Sequence, residues 1–178
     1  DIMFGIWAAG HVVVPINVKL HAKEMQAILE NAGVAEIFAS AQLADELLAE
    51  SADQAPPVFR LDTQDFAMIL SAPAALPVEA SMDDLAWLFF TSGTTGRSKG
   101  AMLSHRNLHA MTIAHLADFE DIQEEFGILH AAPMSHGSGL YILPYVARGA
   151  CQIIPASGAF DPAEFLALCA HHGGIGAF

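Results

Sequence analysis

The sequence predicts an α/β fold in which helices flank a mainly parallel sheet. First, short apolar runs alternate with segments of helical periodicity along all 178 residues. Second, residues 85–90 are apolar at every position, which is typical of a parallel strand buried on both faces. Third, a loop rich in glycine and hydroxyl side chains follows this run, and a helical pattern follows the loop.

The elements before this run are bounded by residues that end regular structure. Helices are predicted over residues 2–9, 21–31 and 40–50, and strands over residues 12–14, 35–39 and 58–61. Gly10 and Gly33 stand where a helix often ends in a left-handed residue, and Pro15 ends the first strand. Ser40 is the predicted N-cap of the third helix. Residues 62–80, rich in alanine and interrupted by two prolines, form the predicted surface linker.

The elements after the loop continue the alternation. Ser104 is the predicted N-cap of a helix over residues 105–119. Later strands are predicted over residues 127–132 and 151–154, with a second glycine–serine loop at 133–139 and a helix-like segment at 140–147. Asp161 as N-cap and Pro162 at the first helical position predict the last helix.

Composition limits the classes of function. The chain is 53% hydrophobic and 15% charged, with a formal net charge of −13. This acidic balance argues against nucleic acid binding, which requires a basic face. No apolar run reaches the roughly 18 residues of a membrane span, and no signal-peptide pattern is present. Cys151 and Cys169 lie far apart and suggest free thiols, so a cytoplasmic location is expected.

Residues 91–100, TSGTTGRSKG, have the composition of a phosphate-binding loop. Glycines let the main chain turn its N–H groups toward an anion, hydroxyls donate hydrogen bonds, and Lys99 supplies a positive charge. Residues 85–117 contain no acidic residue although the chain has 20, and they contain three of its seven cations. This basic surrounding suits a polyanionic ligand. The alternative interpretation is a solvent-exposed surface turn.

The second loop also lacks acidic residues, since none occurs between residues 126 and 160. Ligands of open α/β sheets collect at the carboxyl ends of strands, so both loops are expected to face one crevice. His136 lies in this loop, where it either contacts a ligand or bonds to nearby main chain.

Other chemical motifs are excluded or weak. His105 and His109 lie four apart on a helix without a third metal ligand, so no metal site is predicted within the chain. The loop at 91–100 is not a Walker A loop, because Arg97 and Ser98 separate its glycine from the lysine. No Ser/His/Asp signature of a hydrolase is evident, although GRSKG at residues 96–100 has the GxSxG spacing.

The loop TSGTTGRSKG resembles the phosphate-loop signature of the adenylate-forming superfamily, which comprises acyl-CoA synthetases, peptide-synthetase adenylation domains and luciferases. AGHVVVPIN at residues 9–17 and APMSH at residues 132–136 are similar to two further segments of that family, in the family's order. The resemblance implies an incomplete piece of the large N-terminal domain. We therefore expect residues 1–178 to form a single α/β fragment, with the C-terminal domain absent.

The resemblance implies a two-step reaction. A carboxylate attacks the α-phosphate of Mg-ATP to give an acyl-adenylate and pyrophosphate, and the thiol of coenzyme A then takes the acyl group. The implied catalytic residues are Lys99 and His136. The implied nucleotide-binding residues are Thr91, Ser92, Gly93, Thr94, Thr95, Gly96 and Lys99. The implied acyl and adenylate site comprises Met134, His136 and Gly137. The Mg²⁺ ligand is expected outside this chain.

Two residues depart from the family pattern. Ser98 stands where the family usually has proline, which loosens the loop without removing a donor. Ser135 stands where the family usually has an aromatic residue, which leaves the shape of the acyl pocket open. Because later family motifs would follow Phe178, we expect the chain alone to be catalytically inactive.

Three functions remain open. The first is an acid–thiol ligase of the acyl-CoA synthetase type, acting on a fatty or aromatic acid, with a role in fatty acid metabolism. The second is a peptide-synthetase-type adenylation domain that loads a carrier protein. The third is a non-catalytic module that binds a nucleotide or phosphate. The expected partners are the carboxylate, ATP and coenzyme A.

Overall fold

The computed structural model describes residues 1–51, 55–91 and 98–178, and it confirms an α/β fold. Every strand register described within these residues is parallel. The chain, predicted as one α/β fragment, divides into two compact units. The first comprises Asp1–Ala80 and Ala86–Met102, and the second comprises Ser81–Leu85 and Leu103–Phe178.

The first unit contains alternating helices and strands. They are α1 (Ile2–Ala8), α2 (Ala22–Ala32), β1 (Ile37–Ala39), α3 (Ala41–Glu50), β2 (Val58–Arg60) and α4 (Gln64–Ser71), with most of β3 (Leu85–Thr91) and β4 (Lys99–Ser104). Strands β1 and β2 are parallel, and β3 pairs with β4. The core lies between α2, α3 and β1, and its buried residues are Met25, Leu29, Ile37, Ala39, Ala44 and Leu47.

Local sequence explains the ends of these helices. His21 is the N-cap of α2, and its Nδ1 accepts a hydrogen bond from the Lys23 N–H at 3.2 Å. Gly33 ends the helix in the left-handed conformation, at φ 61° and ψ 44°, which glycine adopts without strain. The predicted cap of α3 is confirmed, because the Ser40 side chain accepts from the Leu43 N–H at 3.5 Å.

Two predicted segments of this unit differ from the structure. The strand predicted over residues 12–14 is reduced to one parallel bridge between Val13 and Trp87, because Pro15 has no N–H to extend the ladder. The segment predicted as a linker, residues 62–80, contains helix α4. The Thr63 hydroxyl caps this helix by accepting a hydrogen bond from the Phe66 N–H. Residues 72–80 carry no helix or strand and are exposed.

The second unit is built around a three-stranded parallel sheet with strand order β6-β5-β7. Its elements are α5 (His105–Asp118), β5 (Gly127–Leu129), α6 (Gly137–Leu140), α7 (Ile142–Ala147), β6 (Cys151–Ile153), α8 (Pro162–His171) and β7 (Ile175–Ala177). The buried cluster of this unit comprises Ile122, Ile128, Tyr145 and Ala150.

Three elements correct the sequence predictions. Residues 99–104 form strand β4, although the loop was predicted to run through Gly100. Strand β7 was not predicted, because three residues carry too little pattern to identify a strand. The helix predicted over 140–147 begins earlier and is split into α6 and α7. Pro144 is tolerated because it lies in the first turn of α7, where N–H groups lack helical partners.

Among the described residues, no helix has both the length and the apolar character that crossing a membrane would require.

Candidate functional site

The structure describes both ends of the predicted phosphate loop. Thr91 is the last residue of β3 and Lys99 the first residue of β4, and both are exposed. Because β3 and β4 pair in one sheet, the two loop ends leave neighbouring strands. The predicted residues between them lie outside the described residues; they are Ser92, Gly93, Thr94, Thr95 and Gly96.

A ring packs on the strand at the carboxyl end of this loop. A Cβ atom added to Gly100 would lie 3.0 Å from Cζ and 3.1 Å from Cε2 of Phe90. This spacing is tighter than ordinary van der Waals contact, so a side chain at residue 100 would press on the ring. Phe90 of β3 and Gly100 of β4 therefore lie in close contact next to the loop.

A second set of contacts joins residues 82–84, which precede β3, to the start of α5. Arg106 donates from Nε to Asp83 Oδ1 at 2.7 Å and from Nη2 to Asp83 Oδ2 at 3.1 Å. The main-chain N–H groups of His105 and Arg106 donate to the carbonyl oxygens of Asp84 and Met82. The hydrogen bonds and the charge of Arg106 lower the pKa of the Asp83 carboxyl below its ordinary value. We call these contacts the base clamp.

The predicted N-cap of α5 is confirmed. The Ser104 hydroxyl oxygen accepts from the Asn107 N–H at 3.3 Å, and Asn107 Oδ1 accepts from the Ser104 N–H at 2.9 Å. This reciprocal arrangement satisfies two donors at the helix start.

The second loop places the other predicted site residues side by side. His136 is exposed and precedes α6, while Met134 and Gly137 are half-buried. The His136 N–H donates to the Pro133 carbonyl at 3.0 Å, and the His136 carbonyl accepts from the Gly139 N–H at 2.9 Å. A Cβ atom on Gly137 would lie 2.9 Å from Phe178 Cζ, so a side chain here would displace this ring.

Behind this loop lies a buried histidine that the sequence analysis did not select. His130 follows β5 and is only 5% exposed. Its Nδ1 lies 2.7 Å from the Ser138 hydroxyl, and its Nε2 lies 2.9 Å from Gln152 Oε1. Burial lowers the pKa of His130, and the Gln152 bond opposes this effect. The sequence feature that could have identified His130 is a histidine within the apolar run 127–132. A histidine buried in such a run needs polar partners for its ring nitrogens.

The same unit contains a cavity of about 350 Å³. Its lining residues are His115, Phe119, Glu120, Ile128, Tyr141, Tyr145, Gly176 and Ala177. The Tyr145 hydroxyl donates to Glu120 Oε2 at 2.7 Å, and His115 Nε2 lies 3.5 Å from the same oxygen. Burial and then Glu120 raise the pKa of Tyr145, so its hydroxyl stays protonated. Sequence spacing does not bring these residues together, because they come from different elements.

The Phe178 ring connects the cavity with the His136 loop. The Phe178 ring is tilted against that of Tyr141, with ring centroids 4.7 Å apart, and its far edge meets Gly137. The Phe178 carbonyl also accepts hydrogen bonds from the Ala131 and Ala132 N–H groups, at 3.0 and 2.9 Å. Phe178 therefore contacts both the residue after His136 and a residue of the cavity wall.

Within residues 1–51, 55–91 and 98–178, no group of three or more potential ligand side chains is placed to hold a metal ion. Cys151 and Cys169 are free thiols, as predicted. Thr91 and Lys99 belong to the first unit, and the His136 loop belongs to the second.

Comparisons with known proteins agree on one family. The chain is 33% identical over 170 residues to a feruloyl-CoA synthase of an Amycolatopsis species, covering 93% of this chain and 33% of that protein. It is 33% identical over 112 residues to a nonribosomal peptide synthetase of Emericella nidulans, covering 62% of this chain and 5% of that protein. ATP-bound MatB from Rhodopseudomonas palustris superposes with a TM-score of 0.82 at 27% identity, covering 97% of this chain and 35% of that one.

The chain thus spans about a third of the length of the feruloyl-CoA synthase that it matches. The family model described as AMP-binding enzyme matches residues 2–174, which include both loops and every described strand except β7. Because this match covers nearly the whole chain, the chain belongs to the AMP-binding family of adenylate-forming enzymes.

Proposed function

We propose that the protein containing this chain activates a carboxylic acid with ATP and transfers the acyl group to coenzyme A. The family match over residues 2–174 carries this proposal, since it includes the glycine–hydroxyl loop and the His136 loop. The ATP-bound state of the MatB neighbour and the name of the feruloyl-CoA synthase relative support it.

In the first proposed step, a carboxylate oxygen attacks the α-phosphorus of ATP, and the bond from this phosphorus to the leaving pyrophosphate breaks. The loop residues and Lys99 hold the β- and γ-phosphates, where charge accumulates as pyrophosphate leaves. Donors fixed in advance stabilise this charge more than mobile water does. The exposed position of Lys99 at the start of β4 leaves its ammonium group accessible to a bound triphosphate.

In the second proposed step, the thiolate of coenzyme A attacks the acyl carbonyl carbon, and AMP leaves. We assign His136 to the junction of acyl group and adenylate, with Met134 and Gly137 beside it. No acidic residue occurs at 85–117 or 126–160, so the Mg²⁺ that accompanies ATP would take its protein ligand from outside these two segments.

We propose a compact aromatic acid as the substrate. A volume of about 350 Å³ with walls of Phe119, Tyr141 and Tyr145 suits an aryl group. The Glu120 carboxylate and the Tyr145 hydroxyl, which bond to each other, give this cavity a polar end. A long alkyl chain would leave the remaining acceptor sites of the carboxylate without a hydrogen-bond partner. The feruloyl-CoA synthase relative agrees with this substrate class.

A peptide-synthetase-type adenylation domain is the second candidate, because the chain is also similar to a nonribosomal peptide synthetase. Such a domain would form the same adenylate but transfer the acyl group to a carrier protein. The two candidates differ in the acceptor thiol and in the acid that they activate.

Carboxylate-dependent ATP–pyrophosphate exchange on the full-length protein tests the proposal. Aryl, short-chain and long-chain acids and amino acids are compared, and we expect exchange with an aryl acid. Because Lys99 stabilises charge on the leaving group, Lys99→Ala is expected to slow exchange by about a hundredfold or more. Thioester formation with coenzyme A then identifies the acceptor.

Lys19→Ala is the matched control, because Lys19 is exposed and lies outside both loops. We expect it to retain wild-type exchange. Exchange with amino acids alone would favour the peptide-synthetase candidate. Binding of ATP without exchange for any acid would contradict catalysis and favour a nucleotide-binding module.

A further inference from the structure

We propose that His130 is a positioning residue, which fixes the loop that carries His136 by accepting a hydrogen bond from Ser138. This inference rests on the proposed function, because it assigns His130 a role in placing a residue of the proposed acyl and adenylate site.

The geometry links three elements of the second unit. His130 follows β5, Ser138 lies in α6, and Gln152 lies in β6. Ser138 is fully buried and His130 is 5% exposed, so water does not compete for these bonds. Distances of 2.7 Å to the Ser138 hydroxyl and 2.9 Å to Gln152 Oε1 are those of formed hydrogen bonds.

The partners determine which nitrogen of His130 carries the proton. Gln152 Oε1 accepts only, so the His130 Nε2 must be the donor. In the neutral ring Nδ1 is then an acceptor, and the Ser138 hydroxyl donates to it. Both ring nitrogens thus have a hydrogen-bond partner. The Ser138 hydroxyl in α6 donates to the ring, and the ring donates to Gln152 in β6.

Ser138 is well placed to control His136. Only one residue separates them, and the His136 carbonyl accepts a hydrogen bond from Gly139, the residue after Ser138. Helix α6 has only four residues, and so short a helix is not stable by itself. The hydrogen bond between Ser138 and His130 attaches this helical turn to the residue that follows β5. His136 itself stays exposed.

We expect loss of the Ser138–His130 bond to impair catalysis more than ATP binding. A displacement of about 1 Å at a substrate-positioning group can cost about a hundredfold in rate. Loss of the Ser138–His130 bond is therefore expected to lower kcat/KM for the carboxylate and to leave the KM for ATP unchanged.

Paired substitutions in the full-length protein separate the two bonds of the ring. In His130→Asn the amide oxygen takes the place of Nδ1 and still accepts from Ser138. In His130→Gln the longer side chain still reaches Gln152, but it has no acceptor at the position of Nδ1 and so cannot bond to Ser138. We expect His130→Asn to retain exchange within about threefold, and His130→Gln and Ser138→Ala to lose about ten- to a hundredfold.

Two further variants sharpen the comparison. The double variant His130→Gln/Ser138→Ala is expected to lose no more than either single variant, because both remove one bond. His109→Asn is the control, since His109 is exposed on α5 and outside both loops. Equal activity of His130→Asn and His130→Gln, or fully additive losses in the double variant, would overturn the proposal.

A readout independent of catalysis uses histidine-selective ¹⁵N labelling of the full-length protein. We expect His130 to show a protonated Nε2 and a bare Nδ1, and Ser138→Ala to shift the ring resonances of His136. Unchanged His136 resonances in Ser138→Ala would overturn the positioning role. If the wild type exchanges with no acid, the proposed function fails, while these spectra still decide the role of His130.

Discussion

At the scale of single residues, Gly176 shows how closely the second unit is packed. A Cβ atom on Gly176 would overlap the Tyr145 hydroxyl and lie 3.0 Å from Tyr145 Cζ. Tyr145 itself is 1% exposed and its hydroxyl is held by Glu120, so the ring cannot easily move aside. The residue in β7 must therefore be a glycine, although its position on the strand requires no unusual backbone angle.

We predict that Gly176→Ala destabilises the chain by about 1–3 kcal/mol, because the added methyl group would collide with the Tyr145 hydroxyl. Urea unfolding followed by circular dichroism measures the change. Gly173→Ala is the control, since a Cβ atom there meets nothing within 4 Å. Tyr145→Phe in the Gly176→Ala background is expected to recover part of the loss. Equal stability of Gly176→Ala and Gly173→Ala would contradict this packing.

At the scale of elements, the base clamp joins the segment before β3 to the start of α5. Its ion pair is exposed, with relative side-chain exposures of 59% for Arg106 and 73% for Asp83. Exposed pairs contribute little to stability and are screened by salt. The main-chain bonds from His105 to Asp84 and from Arg106 to Met82 do not depend on charge, so they persist when the pair is lost.

We predict a small loss of melting temperature in Asp83→Asn at low salt and none at about 1 M salt. The pKa of Asp83 is lowered by Arg106, so the contribution is present above the ordinary value of 3.8 and is lost as the pH falls below it. Melting curves between pH 7 and pH 3 measure this. Glu79→Gln, at an exposed carboxylate of the segment 72–80, is the control. A salt-independent loss would show that the main-chain contacts depend on the pair.

Elements also show where local patterns suffice. The α2 prediction of residues 21–31 agrees with Ala22–Ala32, because an apolar face and a glycine end are local signals. Strand β4 was missed because its residues, KGAMLS, alternate weakly and follow a loop motif that extends into them. Its formation depends on pairing with β3, which no local pattern of these six residues indicates.

At the scale of the whole molecule, the chain corresponds to about a third of the feruloyl-CoA synthase relative. Phosphate contacts alone do not orient the α-phosphorus toward a carboxylate, so we expect both proposed steps to require more of the family's length than these 178 residues span.

We predict that residues 1–178 by themselves release no pyrophosphate in a carboxylate-dependent manner. A coupled pyrophosphate assay with the acid that the full-length protein prefers measures this, and the full-length protein serves as the positive control. Carboxylate-dependent release by the 178-residue chain would show that these residues contain a complete site.

The sequence by itself determined the α/β class and the family, because periodicity and a continuous glycine–hydroxyl motif are local features. Phosphate binding by residues 91–100 and the roles of Lys99 and His136 stay predictions. Only the tertiary structure brought His130 to Ser138 and Gln152, which lie 8 and 22 residues away, and Tyr145 to Glu120, 25 residues away. These contacts depend on the strand order β6-β5-β7 and on how α7 packs, and no local pattern specifies which distant elements become neighbours.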